Sequence, residues 1–200
     1  GIDEAFTGTL DGNGHTISNL AISRSGTNRA GLVGEVGSNG SVQNLMIQDA
    51  SVIGNNDVGT AAGTSAGTIR NVTVSGTVSG NDRVGGLVGE TTADGIVIDS
   101  TAAVNTSGNG ATGGLVGQSG GTVNNASAGG TVTASGQYVG GLIGDHQSST
   151  PVTNVNASGA VTGTGSTGGL IGRAQANVTD AAASGNVNGT TTGSRVGGLI

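Results

Sequence analysis

The sequence predicts an all-β chain wound as a right-handed parallel β-helix, a β-solenoid of about seven coils near 28 residues each with three short strands per coil. Three observations lead there. A Gly-Gly-Leu-(Val/Ile)-Gly block recurs along most of the length, a separate column of Asn or Asp keeps the same period, and the runs between them alternate apolar and polar. Composition agrees, because 43 glycines stand against one Pro, one Phe, one Tyr and no Trp in 200 residues. Val, Ile, Leu and Phe supply only about a fifth of the chain, too little for a wide globular core but enough for a narrow stacked one.

The glycine block occupies 85–89, 113–117, 140–144 and 168–172, and begins again at 197. Residues 30–34 are the same block with one Gly replaced, and 59–63 is a degenerate copy reading Gly-Thr-Ala-Ala-Gly. The Leu position recurs in steps of 26 to 29 residues. Leu32, Leu87, Leu115, Leu142, Leu170 and Leu199 are therefore expected to form a buried core column, since glycines on both sides leave each Leu as the large group of its strand. The copy at 59–63 lacks that Leu and is expected to thin the core or distort its coil.

The second column is Asn19, Asn44, Asn71, Asp99, Asn125, Asn154 and Asp180. Around it the apolar parity resets, as between Ile69 and Val74, which is what a corner does. Amides stacked at the coil repeat can hydrogen-bond along the column, so these residues are expected to form an inward structural ladder. Asp99 and Asp180 interrupt it, because a carboxylate accepts but does not donate.

A unit such as 67–89 holds about three short β-branched runs separated by Gly or Asn, alternating at two where a helix needs 3.6. No such unit buries its own face, so neighbours stack in parallel at roughly 4.8 Å per coil. Seven coils give a rod of roughly 30 to 35 Å. Corner glycines are expected to adopt positive φ, and the right hand follows the general preference of parallel crossovers. The chain reads as one segment, 1–200, with an atypical leading coil at 1–30 and repeats from 31 to 200, part of a longer protein. An uncapped last coil leads to the expectation of end-to-end self-association or of further coils of the same chain.

At blocks such as Gly86-Leu87-Val88-Gly89 and Gly114-Leu115-Val116-Gly117 the chain resembles the GLUG-motif repeat family. The stretch Phe6-Thr-Gly-Thr-Leu-Asp-Gly-Asn-Gly-His-Thr-Ile-Ser-Asn-Leu20 is similar to the coil that leads into such arrays. The resemblance covers nearly the whole chain and implies an extracellular or cell-surface microbial protein, an adhesin or a non-catalytic region of a large surface peptidase. It supplies no catalytic residues.

Little in the sequence suggests chemistry. Net charge is -6, with six arginines, no lysine and twelve acids, which argues against nucleic acid as a partner. No apolar run approaches 18 residues, so no membrane insertion is expected, and zero cysteines exclude thiolate sites and disulfides. No cofactor or metal is expected. His15 and His146 fall about five coils apart and read as solvated turn residues. Asp11-Gly-Asn13-Gly imitates the start of a calcium loop without its later ligands.

A carbohydrate-active β-helix, a lyase or hydrolase, is the leading enzymatic alternative. Its carboxylates would be Glu35 and Glu90, two coils apart with Thr64 between them. In the repeat frame Asp57 meets Arg83 and Asp145 meets Arg173, opposite-charge pairs that solubilise rather than catalyse. Tyr138 is the only candidate sugar platform. An ice-binding solenoid ranks lower, since the threonines hold no even lattice. Seven Asn-x-Ser/Thr sequons occur, at Asn39, Asn71, Asn105, Asn125, Asn156, Asn177 and Asn188. Asn71 and Asn125 belong to the inward ladder, leaving Asn105, Asn156 or Asn188 for glycosylation. The favoured function is a non-catalytic stalk, adhesin or filament subunit of an extracellular or cell-surface protein, with its own coils, a surface glycan or a protein ligand as partner.

Overall fold

The computed structural model describes residues 4–191 and 194–200, and these form a parallel β-solenoid of about seven turns with no helix among them. The coils build three sheets, of thirteen, six and six strands, with pairings between equivalent segments of adjacent coils, and the leading coil meets one of the smaller sheets only through an isolated Ala30–Val58 bridge. One coil shows the plan. Strand Thr68–Ser79 lies in the large sheet, Asp82–Gly85 in the second and Val88–Thr91 in the third, before Ile96–Ile98 re-enters the large sheet one coil further on.

Alternation sets what is inside. In Thr68–Ser79 the side chains of Ile69, Val72, Val74 and Val78 are buried, while Arg70 and Asn71 both point outward in succession. That double outward step bends the strand and resets its parity. The core is a continuous stack of Val, Ile, Leu and Ala, joined by a smaller cluster of Val132, Ala134, Val139 and Val161. Leu87, Leu115, Leu142 and Leu170 are fully enclosed, Leu32 is half-buried, and Leu199 departs from the expected column at 38% exposed. No described coil covers the outer side of Leu199.

The glycines do something other than the sequence suggested. Among the described glycines only Gly14 and Gly76 have positive φ, whereas twelve Asn, Asp and Arg residues do. The block glycines instead allow three close backbone approaches. A Cβ on Gly85 would overlap the Val88 carbonyl, one on Gly86 the Gly114 carbonyl of the next coil, and one on Gly89 the backbone of Asp57 and Val58. The same contacts recur from Gly113, Gly114 and Gly117 and from Gly140, Gly141 and Gly144. Thus in these coils the second and third sheets pack backbone to backbone, with no side-chain layer between them and no room for a Cβ, whereas the earlier copies admit Ala30 at the first glycine position and Thr60 at the second.

The degenerate copy at 59–63 keeps its register, with Ala62 paired between Val33 and Val88. Its coil is thinned rather than distorted. Ala61 replaces Leu in the core column, and the Thr60 hydroxyl in the second glycine position is buried without a partner.

Candidate functional surface

Polar side chains gather in columns along the solenoid axis, because identical coil positions stack at one strand spacing. The amide corner is the longest. Asn44, Asn71, Asp99, Asn125, Asn154 and Asp180 all adopt left-handed backbone, with φ between 49° and 54°. Asn and Asp tolerate this region because their short polar side chains bond locally. Asn71 Nδ2 donates to Asn44 Oδ1 at 2.9 Å, Asn154 Nδ2 to Asn125 Oδ1 at 2.7 Å, and Asn125 Nδ2 to Asp99 Oδ1.

Two corrections apply to this column. It faces solvent rather than the core, since Asn44 is half-buried and the other five are exposed. Asn19 is not in it: its N–H donates to the Gln48 carbonyl, which places it over Asp49 at the next corner. The leading coil supplies Asp11 instead, whose carboxylate accepts from Gln43, from the Asn13 N–H and from Asn44. Those hydrogen bonds, that of Gln43 foremost, hold its carboxyl below the usual carboxylate range. The calcium-like Asp11-Gly-Asn13-Gly is therefore a corner turn.

A second amide series was not read from the sequence. Asn55 donates to Asn28, Asn81 to Asn56 and Asn109 to Asn81, and Ser135 then donates to Asn109. The signal was an Asn at the approach to each early second-sheet strand, obscured because Ser and Thr take over in later coils.

Where the second and third sheets meet, charged side chains line their edge. Arg29 binds Glu35 at 2.7 Å. Arg83 binds the buried Asp57 and lies 3.5 Å from Glu90. Arg173 grips the buried Asp145 with two hydrogen bonds of 2.6 and 2.7 Å, sits 4.2 Å over the Tyr138 ring and donates to its hydroxyl. This last group borders a polar cleft of about 400 Å³ that also includes Gln118 and Gln147. Glu35 and Glu90 flank Thr64 in register, but both carboxylates face arginines. Burial pushes the Glu90 carboxyl above its ordinary range.

The two histidines differ. His15 is exposed in its turn, bonded to the Gly12 carbonyl. His146 is fully enclosed, contrary to the solvated turn expected, because residues 147–151 fold back and the Thr150 carbonyl meets Nε2 at 3.0 Å. Its Nδ1 has no partner, and burial lowers its pKa. Among the described residues no three His, Cys, Asp or Glu side chains converge on a metal position, and no helix is long and apolar enough to cross a membrane.

These features define a β-solenoid repeat segment whose polar columns bond coil to coil. The chain is 76% identical over 154 residues to halomucin from Haloquadratum walsbyi, a match that spans 77% of this chain but only 2% of that protein. A crystal structure of a proposed immunoglobulin A1 protease from Bacteroides ovatus shares the fold, with a TM-score of 0.73 over 94% of this chain and 68% of the other at 18% identity. No protein-family model matches the chain.

Proposed function

We propose that this segment is a non-catalytic GLUG-type structural repeat of an extracellular or cell-surface protein, serving as a rigid stalk or adhesive spacer. The observation that carries this reading is the use of the polar columns: amides and ion pairs bridge neighbouring coils and tie the stack together along its axis. Similarity to a small part of a far longer halomucin supports a place at or outside the cell surface and a role as one portion of an extended chain. Partners in this role are further coils of the same chain, packed end to end, or a glycan or protein ligand on the outer face.

An enzymatic role would rest on Glu35 and Glu90, each facing an arginine. The test labels intact cells with an antibody to the segment and incubates the isolated chain with polyuronates, neutral glycans and protein substrates. Surface labelling without turnover is expected. Labelling that needs lysis, or turnover abolished by Glu35→Gln or Glu90→Gln, overturns the proposal.

A further inference from the structure

We propose that Asn105, Asn156 and Asn177 are attachment sites for N-linked glycans, and that Asn71 and Asn125, which carry the same sequon, are not. All seven sequon asparagines are exposed, so exposure alone does not separate them. The amide nitrogen sets two of them apart. Asn71 Nδ2 already donates to Asn44 and Asn125 Nδ2 to Asp99, so a sugar on either would replace one N–H of an amide held one strand spacing from its neighbours and crowd the ladder.

Asn105 is arranged the other way. Its Oδ1 accepts from both the N–H and the hydroxyl of Thr131, which leaves Nδ2 turned away and without a partner among the described residues. Asn156 and Asn177 make no side-chain hydrogen bond there either. In an extended strand, positions i and i+2 share a face, so the Ser107 hydroxyl stands on the face of Asn105, while Asn156 lies at the end of one strand and Asn177 just before another, each with its hydroxyl residue across the strand boundary. Ser107, Ser158 and Thr179 are exposed and uncommitted. At the two sequons left out the hydroxyl is engaged: Ser41, matching Asn39, donates to Gln43 Oε1, and Thr190, matching Asn188, donates to the Gly163 carbonyl.

Spacing supplies the second constraint. Coils repeat at roughly 4.8 Å, about the width of one sugar ring, so glycans on adjacent coils of a single column would collide. The neighbours of Asn105 are Thr77 and Thr131, and those of Asn156 are Ser127 and Ala182. Asn177 lies beside Pro151 of the preceding coil. None of these neighbours is a sequon asparagine, so the glycans do not meet one another along a column.

The transfer needs a glycosyl donor activated as a lipid-linked phosphate or diphosphate and its transferase. The Nδ2–C1 bond forms as the C1–O bond to phosphate breaks. Nδ2 yields one proton to the transferase base, and the lipid phosphate leaves with the electron pair. Peptide mass spectrometry of the protein purified from its own cells tests the assignment. Glycopeptides are expected at Asn105, Asn156 and Asn177, with unmodified peptides at Asn71 and Asn125. Ser107→Ala, an exposed change that leaves the core untouched, should abolish the Asn105 glycopeptide without moving the melting temperature. Unmodified peptides at all three sites, equal occupancy at Asn71 or Asn125, or a glycan that persists at Asn105 in Ser107→Ala overturns it.

Discussion

The Asn125 amide donates to the Asp99 carboxylate one coil earlier, while no side-chain bond joins Asp99 to Asn71. The amide column therefore runs Asp11–Asn44–Asn71 and restarts as Asp99–Asn125–Asn154. Each Asp begins a series because it can only accept.

That polarity gives an asymmetric prediction for two single changes. Asn125→Asp sets two carboxylates face to face across one strand spacing and removes a hydrogen bond, so it should destabilise by about 1 to 2 kcal/mol at neutral pH. Asp99→Asn keeps the bond from Asn125 without its charge assistance, gains one to Asn71, and should be near neutral. Mutual repulsion raises the carboxyl pKa values in folded Asn125→Asp, so its deficit should shrink as acid protonates them. Urea titrations at pH 7 and pH 3.5 compare the two.

The block glycines should resist substitution for steric reasons unrelated to φ. A Cβ on Gly117 would overlap Arg83 and Val84 backbone, so Gly117→Ala should cost about 3 kcal/mol or prevent folding. Gly26 has open space around its would-be Cβ, and Gly26→Ala should leave the melt unchanged within about 0.5 kcal/mol. Equal effects at the two sites would refute the backbone-contact account.

Within the Leu column, position along the stack decides the cost. Leu115 is fully enclosed between coils, and Leu115→Ala should lose about 2 to 5 kcal/mol. Leu199→Ala, at a site 38% exposed, should lose less than about 1 kcal/mol. Thermal unfolding of both variants against the parent gives the comparison.

His146 should make the fold sensitive to mild acid. Its Nε2–H donates to the Thr150 carbonyl, and its enclosed ring resists protonation, which lowers its pKa below the ordinary 6.5. Above pH 6.5 the ring is neutral folded and unfolded. Below it the unfolded chain takes up a proton that the folded chain refuses, so stability falls with pH until the lowered folded value is passed. His146→Leu should flatten this slope, as read from melting temperatures at half-unit pH steps.

What was legible in the sequence follows from stacking. A solenoid repeats one packing problem per coil, so the Leu positions, the amide corner and the Asp57–Arg83 and Asp145–Arg173 pairs appear as columns at one period. The facing of the amide corner was less accessible, because it depends on two successive outward residues, Arg70 and Asn71, which simple alternation does not anticipate. Asn19 was misplaced because the turn at 12–15 lengthens the leading coil and shifts its frame. The enclosure of His146 arises from the loop that returns through Thr150, outside the repeat altogether. Glycine roles were inverted: corner φ is carried by Asn, Asp and Arg, and glycine serves close backbone contact.

The central claim is that the molecule is a stack of interchangeable coils with no one coil indispensable. Deleting residues 90–117 removes one complete coil and rejoins Gly89 to Gln118, in the register that already aligns Glu90 with Gln118. It also removes Asp99 and brings Asn125 beside Asn71, where the two amide series can join. Small-angle X-ray scattering of this shortened chain should show an unchanged cross-section and a rod shorter by about 4.8 Å. An unfolded profile, or an altered cross-section, would contradict the account.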